Sequence, residues 1–537
     1  MNHLQQSTPL VQKSTDYISR EVTEAISIYK CLYPGCELRF IFRIDEATIS
    51  ATATVSEGRA PLHVDLLGAG YLGQVNIPGP HDASPAVTIS ISIPRPPLPS
   101  ERRQTDTPWQ PQRPLRFIFR MAPMLYEQIR YLAEMARWRR ADKSHRTSSL
   151  PFGGSALFSK PRAPATGKRP AILVGMHWLE VGGAEKLGLD TIRWAREAGL
   201  RVFVVASVPE LQRLKGQLPD SPDVTFLRLD RYLPHHLWPR YVEELVRAEN
   251  IRLIHIHHCR PLYDALPHIR TATPWVKVID STHIVEYADG GYPRISGVWS
   301  NFIDMHHVIS GQLEDYYRDK FLVVGKVRLG RMLDRREDAG ALSGFRLQAG
   351  QKSLHISFIG RLYYQKRPII VVETFRRLSR WAADNNVELS GSLVGEGPFL
   401  PAVQRLIQRY GLQDKVALLP ADTDVPALLE RSDLMLLPSN NEGLALVCYE
   451  AIGRGCIPLS TDVGSQYEVV PADLLVPLSP YDTVRETLGI VDRLWRDPAF
   501  LARQKQELTA AFSKLGRDMT AKEILMPIYE ETALSAG

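Results

Sequence analysis

Residues 439–468 read SNNEGLALVCYEAIGRGCIPLSTDVGSQYE. An apolar run with the texture of a buried strand, 433–438, precedes them. Glu442 falls in the Gly-containing turn after that run, and Glu450 lies eight residues further on, two turns into a predicted helix. Gly453 and Gly455 then make a small-residue turn, and a second apolar run follows over 456–459. Strand, turn, helix, turn and strand form the unit from which a parallel sheet is wound.

The same alternation extends on both sides. Strands are predicted over 171–174, 202–206, 224–227, 253–257, 276–280 and 307–310, with helices such as 183–198 and 240–249 between them. A charged, Gly-containing stretch, 330–350, reads as a hinge, and strands resume over 354–359, 387–394, 416–419, 434–437 and 457–460. An α/β architecture follows, with two doubly wound Rossmann-like domains facing a cleft: 169–335, and 336–537 with its closing helices. Five unusual clusters each follow a predicted strand: Gly182-Gly183, His283, Gly360-Arg361, Gly395 to Gly397, and Glu442. Open parallel sheets bind ligands beyond the carboxyl ends of their strands, so these clusters should meet in the cleft.

Residues before 169 have a different texture. Region 1–112 reads as a β-rich accessory region, with strand-like runs 38–42, 47–55 and 86–93 and a Pro/Arg-rich linker over 94–112. Region 113–168 reads as a basic amphipathic helix, 123–140, followed by another linker. The helix starts at Pro123 and carries Leu125, Ile129, Leu132 and Ala136 along one stripe. Its Arg130, Arg137, Arg139, Arg140, Tyr131 and Trp138 suit an anionic membrane surface, and packing against the rest of the chain suits the stripe equally. Segment 101–146 holds 11 Lys/Arg against 5 Asp/Glu, which accounts for the whole net charge of +6 and argues against a nucleic-acid-binding face on a folded domain. No uninterrupted apolar run approaches the roughly 20 residues of a membrane span. The N-terminal residues lack the apolar centre of a secretory signal. Cys31, Cys36, Cys259, Cys448 and Cys456 suggest neither a metal site nor a disulfide framework. The expected location is cytoplasmic, with the inner membrane face as an option.

Two loops in the second domain suit an anionic, hydroxylated ligand. In FIGRLYYQKRP, 358–368, Gly360 permits a tight turn, and Arg361 and Lys366 stand before a helix starting near Pro368. Two cations beside a helix N-terminus suit a diphosphate, and they stabilise a leaving group more as its charge grows. In GSLVGEGPFLPAVQRL, 391–406, Gly395 and Gly397 allow close backbone approach. Glu442 and Glu450, as ionised carboxylates, can grip one polyhydroxylated ligand at two places.

This set of motifs resembles the E-x7-E segment and its companions in retaining, GT-B-fold glycosyltransferases of the large family four, over about 169–529. The resemblance implies sugar transfer from a nucleotide-diphosphate donor to a glycan or lipid-linked acceptor, in surface polysaccharide synthesis, without metal or other cofactor. It maps Arg361 and Lys366 onto the diphosphate-binding pair, Glu442 onto a donor-sugar hydroxyl and Glu450 onto the ribose. It also assigns Gly182, Gly183, Gly360, Gly395 and Gly397 to close donor approach, and the loop Gly443, Leu444, Ala445 and Leu446 to the phosphates. His283, in VIDSTHIVEY, matches the histidine that reaches the donor sugar; Glu286 is a weaker candidate. The family often has Gly where Ala445 and Ser465 stand, so the donor pocket should be narrowed there. A phosphorylase or epimerase on the same fold, or a non-catalytic scaffold in a polysaccharide-assembly complex, would show the same broad pattern.

Three motifs read as decoys. The GAGYLG run, 68–73, leads into QVNIPGP and opens no helix, so it is a turn region rather than a dinucleotide site. Asp422-Thr423-Asp424 precedes a short helix and reads as a cap. His255, His257 and His258 lack a carboxylate or thiolate cluster that would make them metal ligands.

Overall fold

A computed structural model describes residues 9–48, 50–57, 70–97, 107–142, 161, 163, 167–180, 182–286, 289–333 and 344–534. Part of the hinge reading (334–343), Gly68 and Ala69 of the GAGYLG run, and parts of the two linker readings (98–106, 147–160, 162 and 164–166) lie outside the described residues.

Two parallel sheets form the frame. The first contains β5 (Ala171–Met176), β6 (Arg201–Ala206), β7 (Val224–Leu227), β8 (Ile251–His257), β9 (Lys277–Thr282), β10 (Met305–Val308) and β11 (Val327–Leu329), following four earlier strands. Its order is β11-β10-β9-β8-β5-β6-β7. The second contains β12 (Ser353–Ile359), β13 (Glu388–Val394), β14 (Val416–Leu419), β15 (Leu434–Leu437), β16 (Ile457–Thr461) and β17 (Leu475–Val476), in the order β14-β13-β12-β15-β16-β17. Each sheet winds outward in both directions from its first strand, which is the doubly wound plan. Near-continuous runs of Val, Ile and Leu make these strands because both faces are covered: every residue of β5, β15 and β16 is buried. The last helix, Ala521–Leu534, returns to the first domain, where Ala521, Leu525 and Tyr529 join its core.

The N-terminal region differs from its reading in two ways. It opens on a helix, Pro9–Leu32, where only strands were expected. Its buried positions, Tyr17, Glu21, Ala25, Ile28, Tyr29 and Leu32, follow helical spacing. Glu21 interrupts the apolar stripe, and its charge is met by Arg231 Nη1 at 2.6 Å. After it come β1 (Glu37–Asp45), β2 (Ala53–Glu57), β3 (Tyr71–Ile77) and β4 (Ala86–Pro94), paired as β2-β4-β1-β3. The residues after Gly70 therefore form a strand, and no helix opens there. This sheet and helix share one apolar core with the first Rossmann-like domain, Ile28 and Phe40 packing in the same cluster as Trp238 and Tyr241.

Residues 107–142 go instead with the second domain. Trp109 stacks on Phe399 with ring centroids 4.3 Å apart, and Met124 packs with Ile370 and Val484. The helix Pro123–Asp142 buries Met124, Tyr126 and Glu127, while Leu125 and Leu132 of the expected stripe are exposed. The packing thus divides the extension between both domains rather than at residue 112. Among the described residues no helix is long and apolar enough to cross a membrane, and all five cysteines are free thiols.

Candidate functional site

The strand order reverses between β5 and β8 in the first sheet, and between β12 and β15 in the second. Loops beyond the carboxyl ends of these four strands line a cavity of about 950 Å³ between the domains.

On the second-domain side two loops are zipped together. Asn440 N–H donates to the Gln365 carbonyl, and Gln365 Nε2 donates to the Asn441 carbonyl, both at 2.8 Å. Lys366 Nζ donates to Glu442 Oε1 at 2.5 Å. Lys366 ends a short 3-10 turn (Tyr364–Lys366), and Arg367 then enters the helix Pro368–Asp384 with φ +50°. The buried Arg367 guanidinium fixes that entry through the Pro438 carbonyl and Thr483 Oγ1. Arg361 is exposed at the cavity wall, its guanidinium 5.3 Å from the Tyr363 ring centroid. This wall thus presents two cations and one buried carboxylate, a set suited to a diphosphate and an adjoining hydroxyl.

Among the described residues the first-domain wall carries no cation; it is mainly aromatic, with Glu185 and Glu286 as its carboxylates. It is built by His177 and Trp178 after β5, Gly182 and Gly183 at the next helix, His258 after β8, and His283 after β9. Trp178 Nε1–H donates to Glu185 Oε1 at 2.6 Å. His258 has φ +56°, stacks parallel on Tyr292 at 4.6 Å, and the Tyr292 hydroxyl bonds His177 Nδ1 at 2.9 Å. His283 is 6% exposed, and neither ring nitrogen has a hydrogen-bond partner among the described residues. Burial, reinforced by the neighbouring histidines His258, His257 and His307, holds its pKa well below the usual range. A neutral imidazole with one free donor and one free acceptor therefore faces the cavity.

Gly443 brings the walls together: a Cβ there would lie 2.0 Å from the His283 carbonyl oxygen. Gly464, at φ +59°, passes equally close to the Glu442 carbonyl.

Of the sequence-predicted residues, the cavity wall gathers Gly182, Gly183, His283, Glu286, Arg361, Lys366, Glu442, Gly443, Leu444, Ala445 and Leu446. Gly360, Gly395 and Gly397 stand behind it. Cβ atoms on Gly395 and Gly397 would meet the Gly360 and Leu362 carbonyls at 2.1 and 2.6 Å, so packing within the protein already requires Gly at these two positions. Glu450 is exposed and off this wall, and it sits little more than one turn into its helix, Leu446–Gly453, rather than two. Ser465 is fully buried, its N–H donating to the Gly443 carbonyl at 3.0 Å, so it shapes the loop from behind. Ala445 does line the cavity.

The histidine run has a structural explanation. His255 bonds Tyr529 Oη and Ser281 Oγ, each at 2.8 Å. Ser281 Oγ in turn bonds His307 Nδ1, and His307 Nε2 donates to the Gly330 carbonyl at 3.0 Å. Because that carbonyl can only accept, every tautomer along the chain is fixed. No group of three or more metal-ligating side chains converges among the described residues. Asp424 caps its helix, accepting from Ala427 N–H at 3.0 Å.

Sequence reading missed His177, Trp178, His258 and Tyr292, although His177, Trp178 and His258 directly follow strands. It also missed Glu134, Arg137 and Trp138, which line the cavity from the helix Pro123–Asp142.

Two doubly wound sheets facing a cleft of this kind define the GT-B class. Residues 345–474 match the family model "Glycosyl transferases group 1", so this segment of the second domain is a group 1 glycosyltransferase domain, set in a fold of GT-B type. It is 24% identical over 314 residues to N-acetyl-alpha-D-glucosaminyl L-malate synthase of Bacillus anthracis, covering 54% of this chain and 78% of that one. It is 31% identical over 209 residues to D-inositol 3-phosphate glycosyltransferase of Salinispora tropica, covering 36% of this chain but only 42% of that one. Among solved structures, Anabaena HepE in complex with UDP and glucose is similar with a TM-score of 0.50 and 15% identity. That match covers 68% of this chain and 99% of HepE.

Proposed function

We propose that the protein transfers a sugar, with retention of configuration and without a metal, from a nucleotide-diphosphate donor to a glycan or lipid-linked acceptor. One observation carries this reading: Arg361, Lys366, Glu442 and His283 meet around one interdomain cavity. The donor diphosphate lies against Arg361 and Lys366, and the sugar lies between Glu442 and His283. The bond from C1 to the phosphate oxygen breaks, and its electron pair leaves with the diphosphate. Charge then grows where two fixed cations stand, so they stabilise the transition state more than the ground state. The acceptor hydroxyl approaches C1 on the same face and passes its proton to the departing phosphate. Lys366 and Glu442 neutralise each other until the donor's phosphates and hydroxyls compete for them.

The acceptor's lipid and the cytoplasmic membrane face fit one further feature. Phe117, Met121, Leu125 and Leu132 are 44–72% exposed, beside exposed Arg113, Arg116, Arg120, Arg139 and Arg140. This is the composition of an element that rests on anionic lipid. Surface polysaccharide assembly is the setting that such an acceptor suggests.

Calorimetry with UDP, GDP and ADP, then transfer assays over a panel of nucleotide sugars, tests the reading. Lys366→Ala and Glu442→Ala should each lower transfer by about 10²–10³ in kcat, the usual cost of removing a group aimed at developing charge. Product NMR reads the anomeric outcome, and chelator reads metal dependence. Nucleotide binding without transfer to any acceptor would point to a scaffold. Turnover of donor alone, or with added phosphate, would point to an epimerase or phosphorylase.

A further inference from the structure

Part of the cavity wall has no task in that scheme, and it comes from neither Rossmann-like domain. Glu134, Arg137 and Trp138 belong to the helix Pro123–Asp142. Spaced i, i+3 and i+4, they share one helix face. Glu134 anchors that face, because Tyr364 Oη donates to its Oε2 at 2.5 Å. Arg130, one turn earlier, pairs with Glu134 at 3.6 Å and lies 3.1 Å from the Tyr364 ring centroid. Deeper still, Glu127 is buried; burial pushes its carboxyl up, and the charges of Arg130 and Arg367 oppose that push. Tyr364 sits on the same loop as Arg361 and Lys366. The helix is therefore clamped to the loop that carries the diphosphate cations, and Arg137 and Trp138 are held at the cavity wall one turn beyond the clamp.

The charge balance there is one-sided. Three of the wall's carboxylates are already engaged: Glu134 by Tyr364, Glu442 by Lys366, and Glu185 by Trp178. Glu286 lines the opposite side and is exposed, and partial desolvation, helped by Asp289, pushes its carboxyl up. Arg137 is exposed and forms no ion pair among the described residues. A donor diphosphate already has Arg361 and Lys366, so Arg137 offers a second, separate place for an anion. Beside it Trp138 adds an aromatic side chain, whose face suits the C–H side of a sugar ring. HepE is matched over 99% of its length by 68% of this chain, which leaves a third of this chain without a counterpart in that structure.

Resting on the glycosyltransferase reading, we propose that Arg137 and Trp138 form an acceptor subsite for a sugar bearing a phosphate or carboxylate group. The guanidinium pairs with the anion and the indole stacks on the ring. The acceptor class is therefore an anionic sugar, and the N-terminal extension, not the GT-B core, selects it.

The test uses the full chain saturated with whichever of UDP, GDP or ADP binds tightest, so that the diphosphate cations are occupied. Binding of glucose 1-phosphate, glucuronate and methyl glucoside is then measured by calorimetry. At least one of the two anionic sugars should bind about tenfold tighter than the neutral one, the scale of a charge-assisted hydrogen bond. Arg137→Ala should erase that preference, Arg137→Lys should keep part of it, and Trp138→Ala should weaken all three ligands about tenfold or less. Nucleoside diphosphate affinity should stay within about twofold in each variant, which also reports that the site still folds. A preference that survives in Arg137→Ala overturns the proposal, as does an Arg137→Ala protein that loses the nucleoside diphosphate instead. Nucleoside diphosphate binding with no sugar binding overturns the subsite and leaves the broader reading standing. Failure of every nucleoside diphosphate to bind sinks both.

Discussion

The two Rossmann-like domains share a strand order and a reversal point, yet they furnish opposite chemistry. At its carboxyl edge the second sheet presents charge: Arg361, Lys366 and Glu442. The first presents neutral rings, with His177, His258 and His283 among Trp178 and Tyr292. Fold therefore does not determine what an edge does; burial does. Lys366 is paired with Glu442, and Arg361 is exposed to solvent. His255, His257, His258, His283 and His307 are packed beneath the first edge, and burial holds every one of them below its usual pKa.

The sharpest way to break this comparison is pH. Histidines with depressed folded pKa values leave the unfolded chain binding more protons below about 6.5, so stability is complete above that pH and falls as pH drops toward the folded values. Each such group contributes a slope of up to about 1.4 kcal/mol per pH unit. Hydrogen exchange at pH 7 and pH 5, corrected for intrinsic rates, should show β8, β9 and β10 losing protection before β12, β13 and β15. Equal loss in both sheets would end the contrast.

Next in size is the pair of single changes across the cleft. Arg361→Ala should cost about 10²–10³ in kcat, whereas His283→Ala should cost about 10-fold, since a neutral donor stabilises charge less. The ratio of wild-type to His283→Ala activity should stay flat from pH 6 to pH 9; a titration near 6.5 would show that the imidazole is not held neutral.

Smallest is Tyr364→Phe. It removes the hydroxyl that holds Glu134 but keeps the ring under Arg130. A loss of about 1 kcal/mol in thermal stability is expected, the net worth of one such bond. An equal loss in a chain already carrying Glu134→Gln would show that the two groups do not act together.

How much of this was legible follows from the same contrast. The strands of both sheets announce themselves, because residues buried on both faces are apolar without interruption; the sequence limits of β7, β14 and β15 coincide with the structural ones. The charged edge is legible too, since Gly-Arg and Glu-Gly turns after a strand are unusual combinations. The neutral edge is not: His177, Trp178, His258 and Tyr292 look like ordinary buried residues until their rings are seen stacked. The opening helix was hidden by Glu21, which breaks the apolar stripe in sequence but is buried against Arg231 in space. Behind the cavity, the glycines at 395 and 397 were assigned to a ligand because close approach requires Gly there; the partner turned out to be the protein's own backbone. Contacts across hundreds of residues, such as Glu134 with Tyr364, have no local signature at all.

The division of the extension has a mechanical result. Residues up to 97 are seated on one lobe, 107–142 on the other, and 168 onward on the first again, before the chain crosses to 344 and returns in its last helix. The chain therefore passes between the lobes at least four times. Any change in the spacing of the lobes involves every one of these crossings, not the 333–344 connection alone.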